Sequence, residues 1–396
     1  MIKILYIVEP MIGIGPGVDA NLLAKTAIKQ FPDVDMLIYT DSQVPVVYTN
    51  ERIKFILSQP WRYNPITAEL YDLNKNRLED KFKNDRKNQM IDLCKEYQPD
   101  VLLLHNYISG STWDSIIDFE ILPLIEFAKS INPRLKVYSY LIGMIDSFEN
   151  LSNEDEKRFL QNVEKNIDKI LLRSDNPELF FKTCEVARKI KEKFIPVGYA
   201  VDKELPKRCT GSDEKYFIVS AGGGDFGLNL FMKAIETCAH IQTHKSDINE
   251  YKWKIFLGPM QLEKELQDYI NKFDCQQKIE IITNADANTF LSFLSYNCLV
   301  SISQCGQRTF TDLEVSGALS VVVPRESMGK EYEQLYRAQY LQEAGRATMI
   351  HEYDLDPHKL SEILNNVSKE SPRRLGLRMD GPENLFNYII NDANII

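Results

Sequence analysis

The chain has 396 residues, too many for one ordinary core, so two domains of roughly 150–200 residues each are expected. Its 47 basic and 57 acidic residues give a net charge of −10, which argues against nucleic acid as a partner because phosphate backbones are held by basic surfaces. A hydrophobic content of 44%, with 19 Tyr and 19 Phe, excludes a disordered chain.

Ile2–Val8 is a continuous apolar run, the mark of a strand buried on both faces of a parallel sheet. The opening MIKILYIVEP is too short and too acid-flanked for a signal peptide and leads straight into this strand. Glu9-Pro10 and a loop Gly13-Ile14-Gly15-Pro16-Gly17 follow. A helix is predicted from about Val18–Asp19 to Lys29, with Leu22, Leu23, Ala24 and Ile28 as its buried stripe. Met36–Thr40 and Ile53–Leu57 read as strands. Ile66–Tyr97 reads as mostly helical, its charged centre a solvated face. Val101–Leu104 is a buried strand ending at His105. Leu135–Leu141, Lys169–Leu172 and Phe194–Val197 are further strands, with helices over Glu154–Asn166 and Pro177–Lys189 between them. This alternation predicts a doubly wound α/β domain that closes near Gly198.

Asp202–Lys215 (DKELPKRCTGSDEK) is polar and turn-rich and reads as a linker. A second α/β run follows, with strands at Tyr216–Ala221, Lys254–Leu257 and Ile279–Thr283 and helices at Leu228–Ile241, Leu262–Lys272 and Ala287–Tyr296. Ser301–Pro324 (SISQCGQRTFTDLEVSGALSVVVP) then has the shape of a strand, a turn at Gly306, a helix and a strand. A glycine turn feeding a helix N-terminus is an anion site, because the free N–H groups and the macrodipole both point into the turn. Thr309 and Asp312 are placed in that helix's first turn and Glu314 just beyond it. Helices at Glu331–Ala344 and Pro357–Asn366, a strand at Ala347–Ile350 and a last helix at Glu383–Ile390 complete the chain. No run approaches the roughly 18–20 apolar residues that span a bilayer. A cytoplasmic protein is expected, with peripheral contact to a membrane surface left open.

Ligands of such domains bind at the carboxyl ends of the strands. In the first domain that singles out Glu9, Gly13, Gly15, Asp41, His105 and Gly143–Asp146. In the second it singles out Gly222–Asp225, Gly258, Thr283–Asn284, Gly306–Asp312 and Arg325–Glu333. Glycines there let backbone N–H groups approach a diphosphate closely, against a plainer reading as tight turns. His105 is placed at a strand's carboxyl end, where an imidazole titrating near neutrality would take the proton of an acceptor hydroxyl; the plainer reading is a histidine satisfied by its loop. Asp19 is either a first-turn capping carboxylate or a catalytic one, and Asp146 reads likewise. His240, His244, His351 and His358 read as surface residues. The cysteines (Cys94, Cys184, Cys209, Cys238, Cys275, Cys298 and Cys305) are scattered, without a CxxC pair, and read as free thiols in a reducing compartment. No group has metal-ligand spacing, so no metal is expected, and a leaving group would be met by helix N-termini and glycine amides.

VSAGGGDFG (Val219–Gly227), GQRTFTDLEVSGALSVVVPRE (Gly306–Glu326) and EQLYRAQYLQEAG (Glu333–Gly345) resemble the glycosyltransferases related to the lipid II-forming N-acetylglucosaminyltransferase, and more closely their bacterial "predicted glycosyltransferase" branch. GIGPG, PDVLLLHNY, IDKILLRSDNP and PVGY in the first half resemble that branch too. The resemblance implies two Rossmann-like domains facing across a cleft, the GT-B fold. Residues 1–200 would form the acceptor side and residues 201–377 the donor side, with 378–396 crossing back to the first. It implies a nucleotide-diphosphate sugar, UDP-linked, as co-substrate rather than cofactor, no catalytic metal, and inversion at the anomeric carbon.

Carried over residue by residue, the resemblance implies that Gly222, Gly223, Gly224 and Gly306 line the diphosphate, with Gln307 and Thr309 beside it. Asp312 would take the ribose diol, Glu333 and Gln334 the sugar hydroxyls, and the backbone near Thr283 the base. Gly13 and Gly15 are counted with the donor-binding residues. Two departures stand out. Pro16 occupies the place of the family's histidine, which leaves His105 or Asp19 as the base by elimination. Asp312 replaces a glutamate and is shorter by one methylene. The expected function is inverting, metal-independent sugar transfer to an unspecified hydroxyl acceptor. The alternatives are a nucleotide-sugar hydrolase or 2-epimerase of the same fold, and an inactive sugar-nucleotide-binding protein. The sequence does not give the oligomeric state.

Overall fold

The computed structural model describes residues 1–8, 15–41, 46–64, 69–108, 117–144, 152–202, 204–209, 211, 213–222, 227–244, 246–258, 262–283, 285–326 and 332–394. The chain divides into two compact units, Met1–Val201 with Arg378–Ile396, and Asp202–Leu377.

The strands of the first unit are β1 (Ile2–Ile7), β2 (Val34–Asp41), β3 (Ile53–Ser58), β4 (Arg62–Asn64), β5 (Glu69–Tyr71), β6 (Val101–His105), β7 (Lys136–Ile142), β8 (Lys169–Arg173) and β9 (Phe194–Pro196). All but β4 and β5 form one parallel sheet in the order β3-β2-β1-β6-β7-β8-β9. The unbroken apolar run of β1 is explained by burial on both faces. Leu5 and Ile7 join one core, while Ile4, Tyr6 and Val8 join the other, as a period of two requires. Helices α1 (Gly15–Gln30), α2 (Asp80–Tyr97), α3 (Asp118–Ile131), α4 (Asn153–Asn166) and α5 (Pro177–Thr183) accompany the sheet.

Three local expectations are corrected. Helix α1 starts at Gly15, not Val18, because Pro16 suits a first turn, where no N–H is needed. Ile66–Tyr97 is not one helix. β4 and β5 pair antiparallel, and the Asp72 carboxylate accepts the backbone N–H groups of Asn74 and Asn76, each at 2.8 Å. This Asx-type turn stops helix formation until Asp80. The helix expected over Pro177–Lys189 ends at Thr183 and continues as 3₁₀ turns over Glu185–Lys193.

The second unit repeats the wiring. Strands β10 (Tyr216–Ser220), β11 (Lys252–Phe256), β12 (Ile279–Ile282), β13 (Cys298–Ser303), β14 (Ser320–Val322) and β15 (Thr348–Met349) form a parallel sheet in the order β12-β11-β10-β13-β14-β15. Its helices are α6 (Leu228–Thr243), α7 (Glu263–Lys272), α8 (Ala287–Ser292), α9 (Gln307–Ser316), α10 (Glu333–Glu343) and α11 (Pro357–Val367). The stretch read as a linker is partly fastened to this unit. Cys209 N–H donates to Ser292 Oγ, Asn297 Nδ2 to the Glu214 carbonyl and Lys215 Nζ to the Tyr296 carbonyl, each at 2.9 Å.

The chain then returns to the first unit as α12 (Gly381–Asn394). Tyr199 N–H donates to the Arg378 carbonyl at 2.8 Å, and Gly381 N–H to the Tyr199 carbonyl at 3.1 Å. Leu385, Phe386 and Ile389 of α12 are fully buried in the same core as Leu23, Ala24 and Ala27 of α1.

Candidate functional site

In each sheet the strand order reverses once, between β1 and β6 and between β10 and β13, and these switch points are where such folds bind ligands.

In the second unit Gly222, just after β10, lies beside α9, which follows β13. Gly222 has φ 77°, a left-handed conformation that side-chain-bearing residues rarely adopt. A Cβ placed there would lie 3.9 Å from Thr309 Oγ1, so the two glycine turns read apart in the sequence adjoin in space. Gly306 is the N-cap of α9, and a Cβ there would meet nothing among the described residues within 4 Å. Among the described residues nothing closes the N-terminus of α9, while its other end is capped. Gly317, at φ 71°, donates to the Leu313 carbonyl. Arg346 donates to the Ala318 carbonyl at 2.9 Å and to the Leu313 carbonyl, and its Nε lies 3.5 Å from Glu314 Oε2. A helix with its carboxyl end capped by a cation and its amino end open is arranged to receive an anion.

Gln307 and Thr309 stand in the first turn of α9, but Asp312 does not. The helix begins only at Gln307, so Asp312 falls in the second turn, buried, with Oδ1 at 3.1 Å from Arg308 Nε. Glu314 is buried against Arg346 and accepts the Gly376 N–H at 2.8 Å, a structural role. Glu333 opens α10 and pairs with Arg337, which is buried and donates to the Cys305 carbonyl at 3.1 Å, tying α10 to the Gly306 turn. Gln334 is buried and accepts the Arg325 N–H at 3.1 Å. Thr283 directly follows β12 and is half-buried. Gly13, Gly223 and Gly224 lie outside the described residues, as do Glu9, Asp146, Asp225 and Asn284.

In the first unit the switch point gathers a buried polar cluster. His105 ends β6, with Nδ1 2.5 Å from the Tyr6 hydroxyl and Nε2 3.8 Å from Asp19 Oδ2. The Asp19 carboxylate pairs with the guanidinium of Arg173, the last residue of β8, whose other arm holds Asn106 Oδ1. The Arg173 guanidinium carbon lies 5.0 Å from the centre of the Tyr140 ring. Asn106 sits at φ 52° and accepts the Ile142 N–H at 3.2 Å.

These contacts correct two expectations. Asp19 is not a capping carboxylate: it lies inside α1, turned onto Arg173. The imidazole of His105 does not titrate near neutrality, because burial and then the Arg173 charge hold its pKa well below 6.5. Burial also raises the Tyr6 hydroxyl well above its ordinary range. Gly15 lies in the first turn of α1, with nothing among the described residues within 4 Å of where a Cβ would stand. Nothing in the sequence reading singles out Arg173, Tyr6, Asn106 or Tyr140. Their one local signal is a charged residue closing an otherwise apolar strand, KILLR.

Two parallel, doubly wound α/β units, with the last helix returned to the first, have the GT-B architecture. Residues 218–384 match the glycosyltransferase family 28 C-terminal domain, a stretch that takes in Gly222, the Gly306 turn, α9 and α10. Over nearly the whole length the chain resembles UDP-GlcNAc 2-epimerase of Methanocaldococcus jannaschii, solved in complex with UDP-GlcNAc and UDP, at 11% identity, 99% coverage of both chains and TM-score 0.62. It resembles MurG of Acinetobacter baumannii at 13% identity, 99% and 100% coverage and TM-score 0.57. It also resembles MnaA of S. aureus, solved with UDP, at 15% identity, 100% and 98% coverage and TM-score 0.60. At these identities the likeness is one of fold. No curated protein matches the sequence.

Proposed function

We propose that the protein transfers a sugar from a nucleotide-diphosphate sugar, UDP-linked, to an acceptor hydroxyl, with inversion and without a metal ion. The observation that carries this is the meeting of Gly222 and Thr309 beside the open N-terminus of α9, inside a stretch that matches a glycosyltransferase domain. Backbone N–H groups and the helix dipole there would take the diphosphate charge that a metal takes elsewhere. Gln307 and Thr309 would lie beside the diphosphate, Asp312 at the ribose, Glu333 and Gln334 at the sugar, and Thr283 at the base. Gly15, and outside the described residues Gly13, Gly223 and Gly224, complete the proposed donor set.

The acceptor proton would pass to the Asp19–His105 pair of the first unit. The acceptor oxygen then bonds to the anomeric carbon as the bond to the diphosphate oxygen breaks, and the nucleoside diphosphate leaves with the electron pair. Attack opposite the leaving group inverts the centre. UDP is favoured because two of the similar structures are UDP complexes.

The same fold in UDP-GlcNAc 2-epimerases supports a second reading, donor epimerisation or hydrolysis. Incubating the protein with UDP-sugars, with and without hydroxyl acceptors, separates the two. Transfer predicts UDP release that depends on acceptor and is unchanged by a chelator. Free sugar or epimer formed without acceptor would favour the second reading. Tight UDP binding with neither product would leave a binding protein.

A further inference from the structure

We propose that Arg173 is a positioning residue that aims the Asp19 carboxylate, and that Asp19, not His105, takes the acceptor proton. The inference rests on the sugar-transfer reading and narrows it to one group. The sequence leaves both His105 and Asp19 as candidates, and burial separates them. The His105 side chain is 1% exposed and that of Asp19 12%, so the carboxylate is the better placed to meet a hydroxyl. The imidazole is engaged by Tyr6 on Nδ1 and turns Nε2 toward the carboxylate. If the protonated Tyr6 hydroxyl donates to Nδ1, the ring proton sits on Nε2, on the side that faces Asp19.

Arg173 explains why the carboxylate keeps its orientation. One arm of the guanidinium holds Asp19 and the other Asn106, whose side chain is itself fastened to the Ile142 N–H of β7. The Tyr140 ring lies against the guanidinium. A lysine would keep the charge but could not span both partners. A general base acts chiefly by being held within reach of its proton. Among the described residues, the charged and titratable groups around His105 are Asp19 of α1, Tyr6 of β1, Tyr140 of β7 and Arg173 of β8, with Glu383 of α12 acting on Tyr140. Burial first, and then the charge of Arg173, holds the imidazole below its ordinary range.

In the step proposed, the acceptor O–H proton moves to Asp19 as its oxygen bonds to the anomeric carbon. The nucleoside diphosphate departs with the electrons of the broken bond, so charge and atoms balance.

The test combines turnover, read as UDP release from a UDP-sugar, with ¹⁵N imidazole NMR of His105. Arg173→Lys should lower kcat about 10-fold or more and leave KM for the UDP-sugar unchanged. Asn106→Gly keeps the left-handed backbone, removes the second anchor and should act in the same direction. Asp19→Asn should cost about 100-fold in kcat and His105→Gln less than about 10-fold. Loss of turnover in His105→Gln with Asp19→Asn active, or Arg173→Lys acting on KM alone, would overturn the proposal. The NMR arm needs no turnover. His105 should stay neutral below the ordinary imidazole range in the native protein and titrate at higher pH in Arg173→Met. Absence of UDP release from any donor would sink the transfer reading alone. An unchanged His105 titration in Arg173→Met would sink the clamp.

Discussion

Protonation of His105 opposes the fold. Its folded pKa is held below the ordinary 6.5, so in the window beneath 6.5 the unfolded chain binds the extra proton. This contribution to stability is therefore complete above about pH 6.5 and is lost as the pH falls through the folded value. Denaturant unfolding at about pH 7.5 and pH 5.5 should show a drop in the native protein that is smaller in His105→Gln; equal drops would mean that His105 is not held neutral. The glycines of the second unit allow a complementary test. Gly222→Ala forces a side chain into φ 77° and should lower both stability, by about 1 kcal/mol, and UDP affinity. Gly306 has φ −65° and open space around it, so alanine there should lower stability by no more than about 1 kcal/mol, the loss of a good N-cap. If the diphosphate approaches this backbone, Gly306→Ala should weaken UDP binding, measured by calorimetry, well beyond that loss.

At the scale of the element, α9 depends on groups remote from its amino end. Arg346 is buried, holds the Leu313 carbonyl of the helix and the Ala318 carbonyl just past it, and faces buried Glu314. Burial lowers its pKa, with Glu314 opposing the shift, so the charge is kept by its partner. Arg346→Ala leaves Glu314 buried without that cation and uncaps the helix, which should lower stability by about 3 kcal/mol. Denaturant midpoints measure this. A change under about 1 kcal/mol would mean that α9 is held by its apolar side, Phe310 and Leu313, alone.

For the whole molecule, the decisive feature is the return of the chain at Arg378. A Cβ on Gly381 would lie 2.5 Å from the Gly198 carbonyl and 2.7 Å from that of Tyr199, backbone atoms that cannot yield cheaply. Gly381→Ala should therefore loosen α12. Leu385, Phe386 and Ile389 are fully buried, and exposing them costs about 1.5–3 kcal/mol each, comparable to the stability of a whole domain. Hydrogen exchange should rise in α12 and α1 and stay unchanged in α6 and α11. Uniform exchange across both units would mean that they do not unfold separately.

Much of this architecture is legible in the sequence because it is written locally. Apolar runs such as Val101–Leu104 must be strands buried on both faces, and their alternation with amphipathic helices forces parallel wiring. The strand–glycine–helix pattern at Ser301–Pro324 marks the open N-terminus of α9 without any tertiary information. Element ends were less legible, since Pro16 and Asp72 act through turn chemistry that hydrophobic periodicity does not register. Asp19 and Arg173 are 154 residues apart, so no local pattern joins them. Sequence alone determined the strands of the two parallel sheets, the two α/β runs and the glycine turns, because periodicity and backbone freedom are properties of short stretches. The tertiary structure alone decided that Gly222 meets Thr309, that Asp312 lies past the first turn, and that His105 is neutral beside a clamped carboxylate, because burial and pairing exist only once distant strand ends share one edge.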